Sequence, residues 1–488
     1  MTANFLDRYA LTALLAAQAL LWTLAPALSH TAPPLDVVEM YAWGREGVVA
    51  TFKHPNLPGL VLEATRRLTG AAGWPAYLMS QIFVCATLWA AYALGCELLD
   101  KRRALAGALL LTGVVFFSWP TPEFNHNVAQ MPFWALVILA LWRAGTHGKL
   151  LDWALLGLFA GLSLWAKYSS AILLVVAAGW ILYDATTRRR ILSPGPWLAL
   201  IVFALVVAPQ LQWLIAHDFQ PFAYAERRAS GAPWYSPFEF LATMLADHLP
   251  LIILLATAGL MGKVADNAPP APERRKLVFL LIMGLGPMLL TAVLGLLGGA
   301  GIRPSWGAAM FAPSGLLAVA LLSARFSEAR LKRLVIGAGV LLLLGSGLYF
   351  GHMKYGARFT HDPLRGNWPQ AEMSRALGRQ WSTQTQERPL RVVAGDIWTA
   401  GLVGLEVREP PSVLINGDYA ISPWVTPEEV QREGMLVVWP ADRPPRDELA
   451  PLIAGLPVQS ISAPYPNSPE VAPLVINYVI VPPAASGP

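Results

Sequence analysis

Asp36 and Glu39 stand three residues apart in the run Pro34-Leu35-Asp36-Val37-Val38-Glu39-Met40-Tyr41-Ala42-Trp43-Gly44. A helix beginning near Leu35 carries both carboxylates on one face, beside Trp43. Two carboxylates so held can supply a general base and a partner that orients a nucleophile or a metal. The same spacing also suits a short interfacial helix that Asp36 caps and whose first-turn dipole Glu39 faces. The run Phe52-Lys53-His54-Pro55-Asn56-Leu57-Pro58 follows, adding a cation and an imidazole. His54, His126, His217 and His248 fall near the ends of apolar runs, where histidine and carboxylate together can hold a divalent metal. No tight metal-ligand spacing supports such a site, and structural hydrogen bonding uses the same histidines, so the metal is left unknown.

The elements that must position these groups are membrane helices. Of 488 residues, 55% are hydrophobic and 14% charged, against about 25% charged in soluble domains. That composition excludes a soluble enzyme, and equally a disordered chain or a disulfide scaffold. The net charge of +5 is spread between apolar runs rather than gathered on one face, so nucleic acid is not the partner. The two cysteines, Cys85 and Cys96, lie too far apart along one helix to bridge. Stretches long enough to cross a hydrocarbon core predict about eleven transmembrane helices: 9–28, 75–98, 104–118, 128–143, 150–166, 169–184, 195–216, 247–263, 277–297, 307–323 and 334–350.

Basic residues set the orientation, because Lys and Arg are retained on the cytoplasmic side. With the N-terminus inside, 17 of them fall in cytoplasmic segments, including Arg8, Lys263 and Arg325, and 8 in the opposite loops. An odd number of crossings puts the C-terminus outside. The outer segments are 29–74, 217–247 and everything after Gly351. Residues 352–488 predict a small extracytoplasmic α/β domain, with strands at 390–394, 412–415, 435–439 and 474–481 and an amphipathic helix over 368–386. Residues 1–351 form the membrane domain. Tryptophans such as Trp74, Trp119, Trp134, Trp213 and Trp234 flank these helices as interfacial anchors, while Trp43 and Trp306 can instead stack on sugar.

Taken in order, Asp36-x-x-Glu39, Lys53-His54-Pro55-x-Leu57-Pro58, Phe124-Asn125-His126-Asn127, Ala166-Lys167-Tyr168-Ser169 and Arg303-Pro304-Ser305-Trp306-Gly307 resemble the lipid-linked-sugar glycosyltransferases of the GT-C superfamily. The branch they resemble is the family 39-like one, which includes protein O-mannosyltransferases, the lipid A aminoarabinose transferase and the rhizobial lipopolysaccharide galacturonosyltransferases. The motifs run through most of residues 1–350 and share a place at outer helix ends. Ala394-Gly395-Asp396-x-Trp398 and Ser422-Pro423-Trp424 in the tail resemble extensions in bacterial members.

The resemblance implies a polytopic helical enzyme of the bacterial inner membrane that works at its outer face. It implies inverting transfer of a hexosyl or pentosyl group from a polyprenyl-phosphate donor to an envelope acceptor, whether lipid A or lipopolysaccharide, another glycolipid or a protein. No nucleotide cofactor is needed. Asp36 occupies the place of the base, with Glu39 beside it. Lys53, Lys167 and Arg303 are the outer-face cations that would hold the donor phosphate as it gains charge, although such residues also anchor loops at headgroup level. His54, Glu123, His126, Asn127 and Trp306 are the candidates for substrate binding. This chain departs from its relatives at Phe52, where an acidic residue often stands, and at Glu123, near the place of a second-loop Asp. The alternative is a transporter or lipid-linked-sugar flippase, which calls for ionisable residues near the bilayer midplane. The centres of these helices are almost free of them.

Overall fold

The computed structural model describes residues 3–231, 233–261, 272–322, 327–407 and 409–484; Lys263 and Arg325 lie outside the described residues. Among those residues, seven helices are long and apolar enough to cross a membrane: Tyr9–Ser29, Trp74–Leu98, His126–His147, Pro194–Ala216, Ser236–Thr257, Arg274–Gly298 and Glu328–Thr360. Pro304–Phe311 and Ser314–Leu321, bent by 61°, make an eighth if they form one span, and Leu150–Ala166 and Tyr168–Tyr183 are shorter apolar helices.

Three of the expected spans take a different form. The stretch 104–118 is a helix only over Lys101–Leu110, followed by two 3-10 turns, Leu111–Gly113 and Val115–Phe117. The turn brings Gly113 so close to Leu251 that a Cβ there would sit 2.6 Å from the Leu251 backbone. The stretch 247–263 belongs to a span that begins at Ser236, with Pro237 in its first turn. Proline fits a helix at that place, where its missing N–H has no partner to lose. Much of the loop expected over 217–247 is therefore helical. The stretch 307–323 breaks at Pro313 into the bent pair.

The chain packs as two compact units. The first comprises Met1–Thr23, Phe52–Leu57 and Leu78–Ser346. Here loops expected on the cytoplasmic side meet one another: Arg143 Nε donates to Glu97 at 2.8 Å, Lys276 to the Glu97 carbonyl at 3.1 Å, and Arg190 to the carbonyls of Gly145 and Thr146. Arg275 grips Asp184 through two bonds of 2.9 and 2.8 Å, which with the Thr187 contacts hold that carboxyl below its ordinary range despite burial. Loops expected on the opposite side meet likewise, as with Gly301 N to Ala229 O at 2.7 Å. Trp134, Trp153 and Trp180 are fully buried, so Trp134 packs the core instead of anchoring an interface. Cys85 and Cys96 are both free thiols.

The second unit comprises Leu24–Thr51, Pro58–Tyr77 and Gly347–Pro488. Its sheet has the order β2-β1-β3-β5-β4, where β1 is Val392–Gly395, β2 Ser412–Ile415, β3 Met435–Pro440, β4 Gln459–Ala463 and β5 Leu474–Val481. β1 pairs in parallel with β2 and β3, and β5 pairs antiparallel with β3 and β4. Four of the strands and the helix Gln370–Thr385 lie where the sequence predicts them. β4 was not expected, because this edge strand carries Gln459, Ser460 and Ser462 with little apolar alternation. The helix Leu35–Arg45 packs on the helix Ile397–Leu405, with Val38 against Gly401. Gly44 faces Gly59 so closely that a Cβ would collide with the Gly59 carbonyl, which locks Leu35–Arg45 onto Leu57–Thr69.

His30 lies between two hydroxyls of this unit, its Nδ1 2.9 Å from Tyr77 and its Nε2 2.9 Å from Tyr349. Burial lowers its pKa to about 4. Below the ordinary value of about 6.5 the unfolded chain takes up a proton that the folded ring refuses, so folding stability drops as pH falls from there towards 4. The loss approaches about 1.4 kcal/mol per pH unit. Thermal unfolding of the detergent-solubilised protein across this window should show that slope, and His30→Gln should flatten it; an unchanged slope in the variant would assign the effect elsewhere.

Candidate functional site

Asn125 fixes where the first part of the site begins. Its backbone is extended and its Oδ1 accepts from the amides of Asn127 (2.9 Å) and Val128 (3.2 Å), so the helix His126–His147 opens with an imidazole. His126 Nε2 lies 2.9 Å from the Pro55 carbonyl, and its ring centroid lies 4.3 Å from that of His54. The proline motif Lys53–Pro58 is thereby tied to the head of a membrane helix.

Lys167 supplies the second part. The helix Leu150–Ala166 stops because Lys167 is extended (φ −165°, ψ 132°), and a 3-10 turn, Tyr168–Ser170, follows. The Lys167 side chain is buried, 6% exposed. Its Nζ donates to Asn127 Oδ1 at 2.5 Å and lies 5.9 Å from the centroid of Trp306. Tyr168 donates its hydroxyl to Gln210 Oε1 at 2.7 Å and stacks on Phe222. Tyr224 stands edge-on to Phe52 (5.8 Å) and near His54 (6.3 Å).

His54, His126, Asn127, Lys167 and Trp306 are therefore brought together within the first unit, from segments up to 252 residues apart (Trp306 minus His54). Burial, then the His126 ring and the ammoniums of Lys53 and Lys167, hold the His54 pKa well below its ordinary value. Lys53 thus stands within electrostatic reach of the same group. Arg303 is exposed at the head of the 3-10 segment Pro304–Phe311, where its carbonyl accepts from Trp306 N at 3.0 Å. Glu123 is half-buried in the turn before Asn125, its amide donating to Pro120 O at 3.1 Å.

Asp36 and Glu39 belong to the second unit. The helix that carries them starts at Leu35 as expected, but its N-cap is Pro34, which makes no side-chain cap bond. Asp36 lies inside the first turn, so it is not the capping residue; it is half-buried, and Glu39 is buried. Trp43 is fully buried, which removes it as a sugar-stacking surface. Among the described residues no three His, Cys, Asp or Glu side chains converge in a way that could hold a metal.

Sequence reasoning passed over Tyr168, Gln210 and Tyr224 as members of the cluster. Gln210 carried a signal: a glutamine beside Pro209, deep in an apolar run, and now 1% exposed with its amide oxygen engaged by Tyr168. A buried polar side chain in an apolar helix needs such a partner. Chemically the cluster offers two ammoniums, a neutral imidazole and an indole face, while the first free amides of the helix His126–His147 are taken by Asn125. Those features suit an anionic group carrying an apolar or sugar body.

Residues 53–213 match the family described as dolichyl-phosphate-mannose-protein mannosyltransferase. The chain is 26% identical over 327 residues to the lipopolysaccharide core galacturonosyltransferase RgtB of Rhizobium johnstonii, a match covering 65% of this chain and 63% of that protein. It is 25% identical over 402 residues to RgtA of the same organism, also named a lipopolysaccharide core galacturonosyltransferase, covering 75% and 76%. Among solved structures, ArnT from Cupriavidus metallidurans bound to undecaprenyl phosphate superposes with a TM-score of 0.68 at 14% identity, over 99% of this chain and 100% of that one. Motif order, relatives and fold agree. The chain is a polytopic helical membrane protein with a small C-terminal sheet domain, similar in fold to ArnT and, over part of its length, in sequence to the galacturonosyltransferases and the mannosyltransferase family.

Proposed function

We propose that this chain is an inverting glycosyltransferase that moves a sugar from a polyprenyl phosphate to a lipopolysaccharide-type acceptor at the outer face of the inner membrane. The observation that carries the reading is the Lys167 cluster: a buried ammonium beside Asn127 and Trp306, with His54, His126 and Lys53 around it. The phosphodiester of a lipid-linked sugar, and the lipid phosphate monoester left when the sugar departs, meet such a site with their charge compensated and the lipid tail left in the bilayer. The relatives' names support the acceptor, and the undecaprenyl phosphate named with the ArnT structure supports the donor.

In this mechanism an acceptor hydroxyl attacks the anomeric carbon from the face opposite the phosphate. The new C–O bond forms as the bond to phosphate oxygen breaks, and the phosphate leaves with the electron pair, so the configuration inverts. Asp36 takes the hydroxyl proton as general base, and Glu39 orients it. Lys53, Lys167 and Arg303 neutralise charge that grows on the departing phosphate, so their contacts strengthen in the transition state. His54, held neutral, can accept or donate one hydrogen bond without adding charge. His126, Asn127, Glu123 and Trp306 shape the substrate's surroundings.

Two measurements test this. Asp36→Asn keeps the shape of the side chain and removes its basicity, so transfer by the purified, folded protein should fall by about 100-fold or more, with Glu39→Gln less severe; wild-type turnover in Asp36→Asn would remove Asp36 from the mechanism. Lys167→Met keeps the length and removes the charge. Binding of a polyprenyl-phosphate analogue should weaken about tenfold to a hundredfold, the worth of one charge-assisted hydrogen bond, and Lys53→Ala should weaken it in the same direction. Unchanged affinity in both variants would put the phosphate site on other residues.

A further inference from the structure

The C-terminal sheet has a topological switch that the proposed transfer does not use. β1 leaves through the helix Ile397–Leu405 to β2 on one side, whereas β3 leaves towards β5 and β4 on the other. Between two parallel neighbours whose connections diverge, the carboxyl ends of the strands open a crevice, and ligands of open α/β sheets bind there. In this domain the crevice is present. A cavity of about 450 Å³ is lined by Asp396 at the end of β1, Trp439 and Pro440 at the end of β3, and the segment Arg443 to Leu449 that follows. That volume lies within the range of about 300–1,000 Å³ usual for small-molecule sites.

Its walls are held firmly. Gly395 brings β1 so near β3 that a Cβ would collide with the Val438 carbonyl, and its φ of +158° suits glycine. Pro444 and Pro445 stiffen the far wall, and Leu449 is fully buried beneath it. Gly417, after β2, packs against Leu449 and the Glu448 backbone from outside.

The polar groups decide what fits. A helix N-terminus after a parallel strand ordinarily welcomes phosphate, but here Asp396 fills it. Asp396 Oδ1 accepts from the amides of Trp398 and Thr399, each at 3.1 Å, and Oδ2 accepts from the Thr399 hydroxyl at 2.8 Å. Arg443 is flanked by carboxylates, 4.0 Å from Asp396 Oδ2 and 3.9 Å from Asp442 Oδ1. The lining holds three carboxylates, Asp396, Asp447 and Glu448, against two guanidiniums, Arg443 and Arg446. Alternating acceptors and donors without a net positive charge repel a phosphate and match a polyhydroxylated ring, whose hydroxyls both donate and accept.

We propose that this crevice is a glycan-binding site, taking an uncharged, hydroxyl-rich sugar of the envelope acceptor while transfer takes place elsewhere on it. Only the identification of the bound sugar with the acceptor rests on the transfer reading above; binding itself does not. The probe is a dephosphorylated lipopolysaccharide core oligosaccharide, titrated calorimetrically into the full-length protein in detergent or nanodiscs. Arg443 and Asp447 are exposed, so Arg443→Ala/Asp447→Ala should fold normally. It should weaken oligosaccharide binding about tenfold or more, as the loss of charge-assisted hydrogen bonds requires, and inorganic phosphate should not compete. Equal binding by wild type and the double variant, no binding by either, or full displacement by phosphate would overturn the proposal. A protein that binds the oligosaccharide in this Arg443-dependent way yet transfers no sugar would leave the glycan site standing and sink the transferase reading instead. With both correct, the acceptor KM rises with the loss of binding.

Discussion

Burying an ammonium is expensive unless polar groups replace the water it loses, and Lys167 is buried at the end of an apolar helix. That requirement organises the first unit. Asn127 offers a carbonyl oxygen, which replaces part of the solvation that Lys167 loses. For Asn127 to stand there, the helix His126–His147 must begin at that level, which the Asn125 cap enforces. The His126 ring then reaches Pro55 and draws in the Lys53–Pro58 motif. A chain of local constraints thus holds the Lys167 ammonium in a place of low dielectric, where a charge interaction is worth far more than in water.

The two histidines play a different part from the lysines. An imidazole pushed well below its ordinary pKa, as His54 is, stays neutral through the physiological range. It fixes positions by hydrogen bonding and leaves the charge to Lys53 and Lys167, so the field of the site does not change with modest acidification. His30 in the second unit is neutral for the same reason, yet it sits between tyrosine hydroxyls and serves packing.

Much of this was legible in the sequence, for identifiable reasons. Apolar length marks a span wherever the run is continuous, so helices such as Arg274–Gly298 are readable within a few residues. The run 104–118 is as apolar as a span, yet it gives way to 3-10 turns where Gly113 closely approaches Leu251; such contacts have no local signature. Conversely, Pro233 and Pro237 read as loop, although Pro237 starts a helix. The cluster was legible residue by residue but not as a constellation. Motif order suggested that His126, Asn127 and Lys167 act together, yet the distances that join them depend on where each helix stops. Tyr224 carried no motif and was found only through its partners, whereas Gln210 showed only as a polar residue in an apolar run.

The two apolar helices that meet beside Lys167 are short. Leu150–Ala166 has 17 residues, about 25 Å at 1.5 Å per residue, and Ala171–Tyr183 has 13, whereas a bilayer's hydrocarbon core is about 30 Å thick. Lipid beside a short apolar helix thins to match it, at a modest cost per ångström. Matching of this kind along the flank draws headgroups inwards, towards the level at which Lys167 ends the helix Leu150–Ala166. On the proposed function, a lipid-linked phosphate diffusing along this side has a shorter descent to the Lys167 ammonium. On that reading, bilayer thickness, and with it acyl-chain length, bears on how readily the site is filled.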